Sequence, residues 1–408
     1  MTNKKIVIVS HYSQQPPYNT MLRYHNWAKE LVNRGYDVTI VASSIVHNTS
    51  IDMIQTLGSV SSVCDGVKYI YVKSPGYNGN GLKRKINLVW FCRKAFKYIK
   101  GEISILVLSG PFLFPYAKRA YKNTPIIVDV CDLWPLSIVE YTGYSNNNPL
   151  IKLLYRMEKN AYLRANAVIF SMEGGKDYVA EQKYASKMDF SKIFHINMGC
   201  DIAKKDEELK GISFDLGWNP DDFNIVYCGS VRVANHVKQI CDAAKIIEDR
   251  GYQDIKFQIY GNGDDLEALK QYVHKKGIHN TKFYGRIEKE KIPYILANGK
   301  ANLLTYKNVS LWKYGGSQSK LFDYLASGRP IICNVKFGYN LIERYDCGIV
   351  AKDQSAEALA AAIVKIHDLG NDKAFEMGKR ARKVAEMYDQ PLLVDQLEKV
   401  FSYAEKKQ

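Results

Sequence analysis

The chain moves quickly into four consecutive apolar residues, Ile6-Val7-Ile8-Val9, and then turns polar from Ser10 to Thr20, with Pro16-Pro17 inside the loop. A short unbroken apolar run marks a strand buried on both faces of a parallel sheet. From Met21 to Arg34 the apolar spacing becomes that of a helix, and Gly35 ends it. Tyr36 to Val41 returns to the strand pattern, so this opening predicts a βαβ unit. Ligands of such sheets sit beyond the carboxyl ends of the strands. Val67 to Val72, Ile103 to Leu108, Ile126 to Asp129, Val168 to Ser171 and Phe194 to Asn197 read as further strands. Residues 142–149, rich in Gly, Ser, Asn and Pro, read as a surface loop.

The pattern restarts after about residue 200. Lys204 to Leu209 is charged and reads as a linker. Ile225 to Gly229 is a strand running into a turn, followed by a helix from Val237 to Arg250. Lys256 to Tyr260, Thr281 to Tyr284, Ala301 to Thr305 and Pro330 to Cys333 read as strands, and a helix begins at Asp265. Ala374 to Lys407 is helical. The expectation is α/β: two Rossmann-like, doubly wound domains over 1–200 and 201–385, then a terminal helix over 386–408.

Composition narrows the function. A length of 408 residues suits two domains, and 46% hydrophobic content supports packed cores rather than disorder. The formal net charge of +15 asks for an anionic partner: phosphates, nucleic acid or an acidic membrane surface. The eight cysteines form no Cys-x-x-Cys pair and no histidine pairing accompanies them, which reads as reduced thiols in a cytosolic protein without a zinc site. Ile6 to Val9 is too short for a signal peptide, and no apolar run approaches a spanning helix. Any membrane contact is therefore expected to be peripheral.

The most specific stretch runs from Gly315-Gly316 through Ser317-Gln318-Ser319-Lys320-Leu321-Phe322-Asp323-Tyr324-Leu325-Ala326-Ser327-Gly328-Arg329-Pro330 to Ile331-Ile332. Leu321, Tyr324 and Leu325 lie at helical spacing, and Gly328 stops the helix. A loop opening a helix offers free N–H groups and the positive end of the helix dipole, which suits a diphosphate. Asp323, about one turn in, is placed to take a sugar hydroxyl pair.

This run resembles the nucleotide-sugar site of family-4 retaining glycosyltransferases of the GT-B fold, with the pattern Ser-Lys-Leu-Phe-Glu-Tyr-Leu-Ala-x-Gly-x-Pro-Val-Ile. The resemblance covers nearly the whole chain and is strongest over 225–335 and 126–135. It implies two Rossmann-like domains facing a cleft, an acceptor-binding first domain, a donor-binding second domain and a C-terminal helix crossing back to the first. It also implies retention of anomeric configuration without a metal, and no cofactor. Gly229 and Ser230 correspond to a glycine loop facing the donor phosphates, and Arg232 and Lys320 to the cations that bind them. Gly261 would lie near the nucleotide and Arg286 by the base, with Ser319, Leu321 and Asp323 completing the donor site. Many members carry two glutamates, the second where Asp323 stands; the first would fall at Gly315. That carboxylate is missing, leaving the backbone amides of Gly315 and Gly316 to meet the donor sugar.

Asp129-Val130-Cys131-Asp132-Leu133-Trp134-Pro135 ends a first-domain strand. Many relatives have histidine before Asp-Leu-Trp-Pro, and a subgroup building surface polysaccharides has arginine. Cys131 carries neither role and reads as a buried thiol. Asp132 remains to orient the acceptor hydroxyl or donor sugar, unless it is an N-cap before Pro135. Arg23 and Tyr24, at the start of the first helix, are candidates for an acceptor phosphate, and Glu173, before Gly174-Gly175, for the same cleft. A surface role is the plain alternative for Arg23, and a helix-start acid for Glu173. Gly229 and Gly261 can likewise be ordinary turn glycines, the third glycine of a dinucleotide fingerprint being absent. Arg286 can be a surface cation.

Lys83-Arg84-Lys85 and Arg93, Lys94, Lys97 and Lys100 have no acid between them. On a helix, Leu88, Cys92, Ala95 and Ile99 share one face, and Trp90, Arg93, Lys94 and Lys97 another. A basic face with a tryptophan over 83–100 suits an anionic membrane interface, or simply solvent. The expectation is a cytoplasmic transferase, peripheral on the inner membrane face. It would move a sugar from a UDP-sugar, an N-acetylhexosamine first, to a lipid-linked oligosaccharide of capsule or O-antigen. A UDP-sugar epimerase on the same fold stays open, as does an inactive partner subunit, for which Gly315 and Cys131 speak. The charge permits a nucleic-acid binder, but no motif supports one.

Overall fold

A computed structural model describes residues 4–19, 22–47, 49, 51–77, 79 and 81–407. It divides into two compact units: residues 1–197 with 390–408, and residues 198–389. The first unit is an eight-stranded sheet. Its strands are β1 (Lys5–Val9), β2 (Asp37–Ser43), β3 (Ser59–Cys64), β4 (Val67–Val72), β5 (Ile105–Ser109), β6 (Ile126–Val130), β7 (Ala167–Phe170) and β8 (Ile193–His195), ordered β3-β4-β2-β1-β5-β6-β7-β8. Only β3 runs antiparallel, as an edge hairpin on β4. The first helix is Arg23–Asn33; Met21, read as its start, lies outside the described residues. The helix Gln390–Lys406 belongs to this unit. Arg34 donates to Asp395 Oδ1 at 2.7 Å and Glu398 Oε2 at 2.6 Å, and Lys4 to Glu405 Oε1 at 2.8 Å.

The second unit is a six-stranded, all-parallel sheet. It holds β9 (Phe223–Cys228), β10 (Ile255–Tyr260), β11 (Thr281–Gly285), β12 (Ala301–Leu304), β13 (Ile331–Cys333) and β14 (Gly348–Val350), ordered β11-β10-β9-β12-β13-β14. Ile225, Tyr227, Ile240, Ile259, Leu303 and Ile363 are among its buried core. Two expectations change. Lys204 to Leu209 is not a linker but part of the helix Ile202–Gly211, capped by Asp201 Oδ1 accepting from the Lys204 amide at 3.0 Å. The C-terminal helical stretch is two helices, Gly370–Met387 and Gln390–Lys406, divided between the units. All eight cysteines are free thiols.

Candidate active site

In the second unit the strand order reverses between β9 and β12. Open parallel sheets bind ligands beyond the carboxyl ends at such a point. Gly229 leaves β9 there. A Cβ on it would stand 2.8 Å from Lys320 Cδ and 3.0 Å from Tyr227 Oη, so the bare backbone lies against that lysine. The Ser230 carbonyl accepts from Tyr227 Oη and from Asn235 Nδ2, each at 2.8 Å. Asn235 Nδ2 also donates to Ser230 Oγ at 2.6 Å, which turns its Oδ1 to accept from Lys320 Nζ at 2.9 Å.

The Lys320 ammonium lies 4.3 Å from the Tyr306 ring centroid and 5.1 Å from that of Tyr227. Among the described residues no carboxylate pairs with it. Burial penalises the charged form and lowers its pKa to about 7. A desolvated cation without a counter-ion is stabilised by any anion that reaches it. Lys320 sits in the first turn of the helix Ser319–Ala326, whose N-cap, Gln318, makes no side-chain cap bond. Among the described residues the Ser319 and Lys320 amides are unbonded, and Ser319 is exposed, so free N–H groups share that turn with the ammonium. Arg232 follows Ser230 closely and is exposed, and its side chain forms no ion pair or hydrogen bond among the described residues.

The turn Gly261-Asn262-Gly263 is explained by close approach. A Cβ on Gly261 would stand 1.7 Å from the Gly229 carbonyl oxygen, and one on Gly263 2.1 Å from that of Val231. The Val231 amide donates to the Asn262 carbonyl at 2.9 Å, and the Gly261 amide to the Gly285 carbonyl at 2.7 Å. The turn is thus a structural brace at the back of the Gly229 loop. Arg286 leaves the third turn of this group, exposed and unpaired among the described residues.

Gly315 has φ +100° and ψ 166°, a conformation essentially reserved for glycine. The backbone conformation at this position therefore disfavours the acid that is missing from the sequence. The Gly315 amide is spent on the Trp312 carbonyl at 3.0 Å, which corrects its expected role as a donor-sugar contact. The Gly316 amide carries no partner among the described residues. Leu321 is core, 2% exposed, and its amide donates to the Gln318 carbonyl at 3.0 Å, so neither end of it meets a ligand. Asp323 is half-buried and not free: Oδ1 accepts from Lys205 of the helix Ile202–Gly211, leaving Oδ2 open.

The first-unit candidates separate into two kinds. Arg23 is 3% exposed and does not face solvent. Nε and Nη2 donate to the two oxygens of Asp129, each at 2.9 Å, and Nη1 and Nη2 donate to the carbonyls of Asn197 at 2.7 Å and Ile196 at 2.9 Å. Its guanidinium lies 4.0 Å from the Trp27 ring centroid. Tyr24 Oη donates to Asp129 Oδ2 at 2.8 Å. Both are therefore structural, correcting their expected contact with acceptor phosphate. Burial, and then the charge of Asp129, push the Cys131 thiol well above the ordinary range.

Asp132 stands just beyond this cluster and is exposed; its carbonyl accepts from the Trp134 amide at 2.8 Å, while its carboxylate has no hydrogen-bond partner among the described residues. It caps no helix: Leu136–Thr142 has Pro135 as N-cap and no side-chain cap bond. Partial desolvation raises the Asp132 carboxyl above the ordinary aspartate value even though its surface is open. Ser171 Oγ donates to the Cys131 carbonyl at 3.2 Å and ties the end of β7 to that of β6. Glu173 lies in the turn just after Ser171, half-buried. Sequence reading missed Tyr227, Asn235, Tyr306 and Lys205.

Residues 210–384 match the family described as "Glycosyl transferases group 1". No curated protein matches the chain in sequence. Among solved structures, sucrose-phosphate synthase from Thermosynechococcus elongatus aligns with a TM-score of 0.74 at 14% identity, covering 98% of each chain. WaaG, a glycosyltransferase involved in lipopolysaccharide biosynthesis, gives 0.68 at 12%, covering 97% of this chain and 99% of its own. Anabaena Alr3699/HepE in complex with UDP-glucose gives 0.66 at 14%, covering 98% and 99%. At such identities the likeness is one of fold, and it spans both units. Residues 210–384 thus form a group 1 glycosyl transferase domain within a GT-B fold, and the protein is a glycosyltransferase.

Proposed function

We propose that the protein transfers a sugar, with retention, from a UDP-linked donor to a lipid-linked oligosaccharide during surface-polysaccharide synthesis. An N-acetylhexosamine is the first candidate sugar. The observation that carries the donor half is Lys320: a desolvated ammonium with no carboxylate partner among the described residues, beside a bare glycine backbone and a helix start. Alr3699/HepE in complex with UDP-glucose, and the E. coli structure bound with UDP-2-fluoro glucose, favour uridine. In this reading the acceptor hydroxyl attacks on the face from which the diphosphate leaves. Charge growing on the leaving group is met by Lys320, Arg232 and the free N–H groups of Ser319 and Gly316. Asp132 orients the acceptor hydroxyl, and Arg286 stacks on the base. The test is thermal shift against UDP, GDP, ADP and CMP. A ligand that binds only the folded form raises the midpoint, and UDP is expected to raise it most. A GDP or ADP preference replaces the donor, and no shift with any nucleotide favours the inactive partner subunit.

The acceptor half rests on the basic segment. The helix Leu82–Lys94 leaves Leu82 71% exposed and Ile86, Val89 and Trp90 nearly half exposed, interleaved with Lys83, Lys85 and Arg93. An apolar and cationic face of this kind suits an anionic membrane surface. WaaG, with its role in lipopolysaccharide biosynthesis, is compatible with a lipid-borne acceptor. Wild type is expected to float with anionic liposomes, and Lys94→Glu/Lys97→Glu to stay in the load. Equal flotation of the two, or none by wild type, removes the membrane reading. No helix among the described residues is long and apolar enough to cross a membrane.

A further inference from the structure

The ion pair between Lys205 and Asp323 joins residues 118 positions apart and changes what Asp323 can do. The lysine is held in a frame rather than on a loose surface. Its neighbour Asp206 is gripped by Arg382, with Nη1 to Oδ1 and Nη2 to Oδ2 each at 2.8 Å, and Arg382 Nη1 also reaches the Ala326 carbonyl at 3.2 Å. The helix Ile202–Gly211 is thus bolted to the end of the helix that carries Asp323. The side chains of Lys205 and Asp323 are 17% and 28% exposed. The pair is also the same in composition whichever nucleotide is bound, since neither partner comes from the ligand.

A carboxylate with both oxygens free can accept from both hydroxyls of a ribose diol. In Asp323 the Lys205 ammonium already occupies one of the lone-pair sites at Oδ1, so Oδ2 is the oxygen left fully open. An ammonium has three N–H groups, and the only hydrogen bond Lys205 Nζ forms among the described residues is the one to Asp323. We propose that Lys205 and Asp323 read the donor ribose together: Asp323 Oδ2 accepts from one hydroxyl, and Lys205 donates to the oxygen of the other. The inference rests on the nucleotide-sugar reading above. Lys205 also neutralises a carboxylate that would otherwise repel the donor diphosphate. It is a specificity-determining residue outside the Gly315–Ile332 run.

Calorimetry with UDP, 2′-deoxy-UDP and 3′-deoxy-UDP separates the possibilities. Wild type is expected to lose about 10-fold in affinity with either deoxy ligand, the scale of one hydrogen bond to a charged group. Lys205→Met is expected to bind UDP about 10-fold more weakly and to stop distinguishing one deoxy ligand from UDP, while still penalising the other. Lys205→Met/Asp323→Asn, which leaves no buried unpaired charge, is expected to stop distinguishing the same ligand. A merely structural lysine weakens all three ligands equally, so unchanged discrimination in both variants overturns the inference. Failure of wild type to bind UDP at all overturns the donor reading instead.

Discussion

Lys320→Met is expected to lower turnover by about 100- to 1,000-fold, the scale for removing one donor that meets charge in the transition state. The nucleotide-free protein is expected to melt no lower than wild type. Both follow from the same geometry. The ammonium is desolvated beneath Tyr306 and Tyr227, and among the described residues its hydrogen bonds go to Asn235 Oδ1 at 2.9 Å and, at 3.5 Å, to Tyr227 Oη. Without ligand it is an unpaired charge, and its removal relieves a cost that offsets the lost hydrogen bond. Function and stability commonly pull apart in this way at binding sites. Steady-state kinetics with the preferred nucleotide-sugar, beside a thermal melt of the apo protein, checks both halves. Near-normal turnover would take Lys320 out of the mechanism.

Arg23→Met carries the opposite signature. Asp129 is 0% exposed, and Arg23 supplies two of its hydrogen bonds while also donating to the carbonyls of Ile196 and Asn197. Removing one partner of a buried pair leaves the other charge uncompensated, at a cost of about 3–5 kcal/mol. The first unit is expected to unfold at markedly lower temperature, seen as early proteolysis of residues 1–197. Arg23→Met/Asp129→Leu is expected to recover part of the loss, because an apolar replacement of both partners removes the stranded charge. Equal stability of Arg23→Met and wild type would show that the pair contributes nothing. The two cations read alike in sequence; the presence or absence of a carboxylate partner separates them.

That contrast marks where the sequence was legible. Strands of parallel sheets are buried on both faces, so Ile6–Val9, Ile126–Val128 and Ile225–Cys228 announce themselves as unbroken apolar runs. The helix stop at Gly328 was also readable, and its φ of +68° shows why a glycine stands there. The edge strand Ser59–Cys64 was not, because its serines and exposed valines make no core. The helix Ile202–Gly211 buries only Ile202 along its length, so its charge pattern imitated a linker. Arg23–Asp129 and Lys205–Asp323 pair across more than a hundred residues, and no local pattern encodes such a contact. The loss of an acid at Gly315 was visible in sequence; that its backbone conformation suits only glycine was not.

The most direct test of the donor site is calorimetry of UDP binding across pH, for wild type and Lys320→Met. Lys320 has a pKa of about 7 in the free protein. A bound diphosphate favours the charged form and raises that pKa. Between the two values the complex holds more protons than its free components. Binding should therefore take up a proton near pH 8, and affinity should fall as pH rises through about 7 to 9. Lys320→Met should bind at least about 10-fold more weakly at pH 6.5 and lose the proton uptake. Equal affinity and equal proton uptake in the two proteins would contradict the assignment of Lys320 to the donor diphosphate.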